Sequence, residues 1–252
     1  MAIKVLIVDD SATARAVVRE VLESDKDIEV VGTAQDAYVA RDKIVELRPD
    51  VVCLDVEMPR MDGITFLKKL MTHMPTPVVM VSSLTQKGAR TTLEALEAGA
   101  VDFVPKPHSN IYDGIDEIKA EIIEKVKAAA KAKVHKARPH TNEPRLSYSA
   151  LSETTDKVIA IGASTGGTEA IKEVLTRLPA NIPGIVIVQH MPPNFTKSFA
   201  DRLNEICAIE VKEAKNGEFL GVGKALIAPG DFHMVLRRSG ARYYVEIGAG
   251  DK

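Results

Sequence analysis

The chain has 252 residues, enough for two ordinary domains of about 100–150 residues each. Apolar residues make up 45% of it and charged residues 27%, with a formal net charge of -2. That balance is typical of a soluble globular protein and gives no global basic field for DNA, RNA or an anionic membrane. Only Cys53 and Cys207 are present, Cys53 inside an apolar run and neither in a CxxC pair, which argues against a disulfide framework or zinc site and for reduced thiols in a cytoplasm. The opening IKVLIVDD has no basic region, long apolar stretch or cleavage signal, and no run reaches the ~18 apolar residues of a membrane span. The expectation is a protein neither exported nor inserted in a membrane.

From residue 3 to about 122, short β-branched runs alternate with helical periodicity. IKVLIVD, IEVVGTA, VVCLDV, PVVMVSS and VDFVPKP read as strands, with SATARAVVREVLES and DAYVARDKIVELRP among the helices between them. Continuous apolar strands imply burial on both faces, hence a parallel sheet covered by helices. IDEIKAEIIEKVKAAAKAKVHKA begins as an amphipathic helix and then loses its apolar face to lysines, and the segment from Arg138 to Thr155 has prolines and no periodicity. Residues 123–155 therefore read as a helical and polar linker. A second βα series starts at Lys157: KVIAIGAS, TEAIKEVLTRL, GIVIVQHM, KSFADRLNEI, KALIAPG and YYVEI. The organisation is α/β throughout, with domains over 1–122 and 156–252.

Asp9 and Asp10 close the first strand, Asp55 the third, Ser82 (with Ser83 beside it) the fourth and Lys106 the fifth. Carboxyl ends of strands in a doubly wound sheet share one edge, so these side chains converge on one crevice. Any one such aspartate is ordinarily a solvated loop residue or a helix cap. Three carboxylates together repel one another unless a hard cation and a lysine compensate, which suits Mg²⁺ and makes Asp55 a nucleophile toward phosphoryl groups. The joint pattern of DD, DVEMPRMDG and KP resembles the flavodoxin-like receiver domain of two-component response regulators. That resemblance implies Asp55 as phosphoacceptor, Mg²⁺ on Asp9, Asp10 and Asp55, Ser82 as switch hydroxyl, Phe103 as switch aromatic and Lys106 as the phosphate-sensing cation. It also implies a histidine kinase as phosphodonor.

In VIAIGASTGGTEAI a strand breaks into small residues at Ser164, on a turn that suits a nucleophile or a phosphate cradle. Gly162 and Gly167 have phosphate-loop spacing, but Thr168 and Glu169 stand where a Walker loop needs Lys and Ser or Thr. GASTG does match G-x-S-x-G. A serine hydroxyl needs a base, and GIVIVQHM puts His190 at the end of the next strand, able to reach the same edge. A glycine turn with a capping serine and a packed strand-end histidine are the bland alternatives.

The order of these segments, GASTGG, QHMPP and APGDFHM behind a receiver, resembles the chemotaxis response-regulator protein-glutamate methylesterases, the CheB family. The resemblance implies a Rossmann-like hydrolase domain with no cofactor. It would act on glutamate γ-methyl esters, and on certain glutamines, of methyl-accepting chemoreceptors. Ser164 would attack and His190 carry the proton, with Thr165 and His233 near the site in family motifs. Phosphorylation would relieve a block of the site by the receiver. The family also has a third triad member, an aspartate in a GMGxDG turn, which this sequence lacks; Asp231 and Asp251 do not match it. The expectation is an incomplete catalytic domain, weakly active or inactive and open at one apolar edge. By analogy with other triads the cost in turnover is about 10⁴-fold. The rival is a non-catalytic response regulator whose second domain only binds a partner.

Overall fold

The computed structural model describes residues 2–82, 86–106, 115–134 and 157–249. The chain divides into two compact units, residues 1–139 and 140–252. In the first, β1 (Ile3–Val8), β2 (Ile28–Ala34), β3 (Val51–Asp55), β4 (Val78–Ser82) and β5 (Asp102–Pro105) alternate with α1 (Ala12–Glu23), α2 (Ala37–Leu47), α3 (Gly63–His73), α4 (Gln86–Glu97) and α5 (Ile115–Ala129). The strands pair parallel in the order β2-β1-β3-β4-β5, the flavodoxin-like arrangement. Every residue of β3 and β4 is buried, which is why VVCLD and VVMVS show no polar alternation. Burial also pushes the Cys53 thiol up to about 12, so it packs as an inert small hydrophobe.

Side-chain caps fix where the helices begin. Ser11 accepts from Ala14 N–H, Asp36 from Tyr38 and Val39 N–H, and Asp62 from Thr65 N–H. α5 runs on to Ala129, and Val126 and Ala129 are fully buried in a core shared with Val5, Val51 and Ile122. The first residues of the expected linker thus belong to this core. Its polar part, from residue 135 to 155, lies outside the described residues.

The second unit contains β6 (Ile159–Ala163), α6 (Gly167–Leu175), β7 (Ile185–Gln189), α7 (Phe195–Ile206), β8 (Glu210–Glu213), β9 (Phe219–Leu220), β10 (Lys224–Ile227), β11 (His233–Ser239) and β12 (Arg242–Gly248). A parallel sheet has the order β6-β7-β10-β8, as the βα pattern suggests. Its β6 edge is less covered than two-sided burial would give, because Ala160, Gly162 and Val188 are exposed. A second, antiparallel sheet, β11-β12-β9, was not expected from the sequence. β11 and β12 form a hairpin with Ser239 opposite Arg242, and Met234, Leu236 and Ile247 pack with Leu220 and Val245. Its alternation is hard to see in HMVLRRS because arginines occupy both faces at one end.

Glu218, just before β9, ties the two sheets of this unit. Its Oε1 lies 2.7 Å from the ammonium groups of Lys212 on β8 and Lys224 on β10, and Oε2 accepts from Lys215 N–H at 3.1 Å. Its own carbonyl accepts from Val245 N–H on β12. Burial alone would raise this carboxyl, but Lys212 and Lys224 outweigh it and hold it down to about 2. The ionised form therefore stabilises the fold fully above the ordinary carboxylate range near pH 4.5, and that contribution fades as pH falls toward about 2. Glu218→Gln should destabilise the second unit by roughly 1–3 kcal/mol at pH 7. Denaturant unfolding from pH 7 downward should show the gap to wild type constant above about pH 5 and closing below it; a gap that does not change with pH would remove the ionic explanation.

Candidate functional site

The first cluster lies where β1, β3, β4 and β5 end. Asp9 follows β1 and is buried, as is Asp55 at the end of β3, while Asp10 is exposed. The DD turn is held by Arg15, whose Nη1 donates to the carbonyls of Asp9 at 2.7 Å and Asp10 at 3.0 Å, and by Ser11 N–H, which donates to Asp9 Oδ1. Asp55 is held by Glu57 N–H on Oδ1. In the MDG turn Asp62 caps α3, and Gly63 presses against β3: a Cβ there would stand 2.1 Å from the Asp55 carbonyl oxygen. No side chain fits between them. The steric reason for the glycine in MDG is not visible in the sequence, because the Asp55 carbonyl it meets belongs to another element.

Lys106 Nζ lies 2.7 Å from Asp55 Oδ2 and 3.1 Å from Asp9 Oδ2. Both oxygens are buried, and the ammonium is their charge partner. Burial, reinforced by the Asp9 charge, raises Asp55 to about 6 against the opposing pull of Lys106. Burial works against the charge on Lys106 too, and Asp55 and Asp9 more than restore it. Asp9, Asp10 and Asp55 each bring a carboxylate oxygen within 4.8 Å of the others. Three carboxylates, two of them buried, against one ammonium leave an excess of oxygen ligands and negative charge that fits a hard divalent cation and not a soft one.

Ser82 is buried at the end of β4, and its Oγ lies 2.7 Å from Thr92 Oγ1 on α4; Thr92 is equally close to the Gly88 carbonyl. The Thr92 hydroxyl is placed to donate to Ser82 Oγ or to the Gly88 carbonyl, and so couples the end of β4 to α4. Ser83 lies outside the described residues. Phe103 is buried on β5 under the Lys125 ammonium, 5.0 Å from the ring centroid, and the same ammonium donates to the Phe103 carbonyl at 2.7 Å. Thr92 was not singled out from sequence, since a lone threonine on a helix has no distinctive pattern, and Lys125, first of a lysine run expected to be a solvated helix end, is instead buried against Phe103.

The second cluster lies at the carboxyl ends of β6 and β7. Ala163 pairs with Gln189 and His190 N–H donates to the Ala163 carbonyl, so Ser164 and His190 leave neighbouring strands side by side. Both are exposed. Gln189, which sequence reading passed over as part of a motif, is buried between them. Its Nε2 donates to the Ser164 carbonyl at 3.0 Å and to the His190 carbonyl at 3.3 Å. Thr165 continues the turn into α6. Among the described residues no hydrogen bond joins the Ser164 hydroxyl to the His190 ring. His233 opens β11, exposed and without a hydrogen bond to either. Asp231 sits in the turn before it with φ 65°, and Asp251 lies outside the described residues.

The APGDFHM turn docks on the QHMPP turn. A Cβ at Gly230 would lie 2.6 Å from Pro193 N and 2.8 Å from the Met191 carbonyl oxygen, both backbone. Gly230 N–H donates to Thr196 Oγ1, whose proton goes to Glu213 Oε1 at 2.6 Å, so α7 and β8 brace the same junction.

Residues 5–115 match the family model for the response regulator receiver domain, and residues 159–250 that for CheB methylesterase. A protein-glutamate methylesterase/protein-glutamine glutaminase of Sulfurimonas denitrificans is 61% identical over 260 residues, covering 100% of this chain and 74% of the relative. The chain belongs to the CheB family. Another member, from Syntrophus aciditrophicus, is 58% identical over 98% of this chain and 73% of its own length. The crystal structure of the response regulator domain of Thermotoga maritima CheB is 46% identical, covering 53% of this chain and 99% of that one, with a TM-score of 0.48. The chain thus combines a receiver with a carboxylic ester hydrolase domain of the CheB type. Among the described residues no helix is long and apolar enough to cross a membrane.

The Gly230 contact yields a direct test. Gly230→Ala must push apart two backbones and should cost roughly 1–3 kcal/mol, the usual toll of overpacking. Hydrogen exchange should rise over residues 189–196 and 226–234 while β1 to β5 keep wild-type protection. Unchanged exchange at both turns would contradict the contact.

Proposed function

We propose that this CheB-family chain hydrolyses γ-methyl esters of receptor glutamates, and the side-chain amide of certain glutamines, with Ser164 as nucleophile and His190 as base. The observation that carries this reading is the side-by-side exit of Ser164 and His190 from adjacent parallel strands, bridged by the Gln189 amide. Ser164 Oγ bonds to the substrate carbonyl carbon as its proton passes to His190. Collapse of the tetrahedral adduct breaks the bond to methoxide or amide, which leaves as methanol or ammonia with that proton. A water then repeats the sequence on the acyl-serine, with His190 taking and returning its proton, and releases the glutamate carboxylate. The first N–H groups of α6 are suited to the developing oxyanion. Thr165 and His233 are assigned no chemical step. The curated relatives' names favour an esterase over a non-catalytic regulator.

Control belongs to the receiver. Asp55 accepts the phosphoryl group from a histidine kinase of a two-component chemotaxis system. Asp9, Asp10 and Asp55 would hold Mg²⁺, which when bound neutralises charge on the incoming phosphoryl group. Lys106 then pairs with the phosphoryl oxygens, Ser82 donates to one of them, and Phe103 responds as the switch aromatic. Methyl-accepting chemoreceptors are the substrates. A cytoplasmic setting accords with two free cysteines.

Two measurements test this. Membranes carrying methyl-labelled chemoreceptors should release methanol with the full chain, and Ser164→Ala should reduce release to background; equal release from Ser164→Ala would dismiss Ser164 as nucleophile. Acetyl phosphate with Mg²⁺ should add one phosphoryl group, seen by intact mass, and raise methanol release. Asp55→Asn or EDTA should abolish both effects. Phosphorylation that persists in Asp55→Asn would move the acceptor elsewhere.

A further inference from the structure

α1 packs on α5 and α3 on α4, but α2 and α3 are not closely packed on each other. The space between them is a cavity of about 450 Å³. α2 lines it with Ala37, Tyr38, Arg41, Ile44 and Val45, and α3 with Phe66, Lys69, Leu70 and His73, followed by Met74 just past its end. In each helix these residues span two turns of one face, so the trough runs about 12 Å along both helices.

Two features distinguish it from ordinary surface. Tyr38, Val45 and Met74 are exposed by 45%, 61% and 36%, and they are the exposed large hydrophobics of the first unit among the described residues. All three line this one trough, where scattered placement would need no explanation. The polar side chains on its walls are Arg41, Lys69 and His73, with no carboxylate among the lining residues. Arg41 is paired with Asp42, and Arg60 covers the Tyr38 ring at 5.5 Å while paired with Asp36. Lys69 and His73 have no ion-pair partner among the described residues.

We infer that the α2–α3 trough is a docking site for an amphipathic helix of another protein, with apolar anchors at i, i+3 or i+4, and i+7 and carboxylates on its flanks. Two turns of apolar wall match the reach of those three anchors. The unpaired Lys69 ammonium on the α3 wall, facing the Arg41 guanidinium of α2 with no carboxylate in the lining, favours acidic flanks and disfavours basic ones. The site is remote in chemistry from Asp55 and Ser164 and does not depend on either role.

Selection from a phage library of helical peptides against the full chain tests this, followed by anisotropy with the synthesised binders. Enriched peptides should carry the apolar spacing with Asp or Glu flanks. Val45→Glu should weaken them by about tenfold or more and Lys69→Glu by several-fold, while Lys68→Glu, an exposed position outside the lining, should have no effect. Val45 is 61% exposed, so its variant has little reason to misfold; an unchanged circular dichroism spectrum checks this. Four results would overturn the inference: no enrichment, binders indifferent to Val45→Glu and Lys69→Glu, equal binding of peptides with Lys flanks, or self-association of the chain abolished by Val45→Glu. Decanoate perturbing Val45 and Met74 signals when no peptide does would make the trough a small-molecule pocket, and that too overturns it.

Discussion

In both units a backbone must come closer to another backbone than any side chain allows, and the candidate chemistry sits at those contacts. Gly63 lies against the carbonyl of Asp55, which keeps the loop after β3 folded over the end of that strand. Gly230 lies against Met191 to Pro193, which keeps the turn after β10 on the turn that carries His190. Parallel sheets create this need. Their strands all end on one edge, so the loops that follow crowd into one space, and the crowded edge is also where ligands can enter. Glycine resolves the crowding without a cavity.

The two edges then differ in electrostatics. At the first, burial of Asp9 and Asp55 is tolerated because Lys106 reaches both, and the remaining excess of negative charge is what suits a divalent cation. Removing the lysine would leave two buried like charges face to face. At the second edge Ser164 and His190 are exposed, and the order comes from hydrogen bonds rather than ion pairs: Gln189 to both backbones, and Gly230 through Thr196 to Glu213. A charged cluster defines the first edge, whereas the loops of the second are positioned through their main chains.

The supporting residues explain why loops of this kind can be rigid. Lys125 spans from α5 to the Phe103 carbonyl and ring, and Thr92 from α4 to Ser82, so the residues expected to respond to phosphorylation are each held by a neighbouring helix. A change at Asp55 therefore has helices to move, not only side chains. Glu218 plays the equivalent structural part in the second unit, joining a parallel and an antiparallel sheet through two lysines and a carbonyl.

The sequence by itself determined the βα order, the parallel character of both main sheets and the ends at which Asp9, Asp55, Ser82, Lys106, Ser164 and His190 stand. It could do so because short apolar runs alternating with helical periodicity read as strands of a parallel sheet, and because polar residues that end such runs lie at the sheet edge. Tertiary structure decided the rest. The β11–β12 hairpin was masked by arginines that satisfy themselves on ring faces and Glu246. The first core took in Val126 and Ala129 of α5, which the sequence left to a linker, because the apolar face they continue packs on Val5, Val51 and Ile122. Gln189, Thr92, Thr196, Glu213 and Lys125 matter only through partners distant in sequence, and the trough between α2 and α3 exists only because two helices, each amphipathic in an ordinary way, stand apart over the same sheet. Local patterns record what a residue prefers; they do not record which surface will face it.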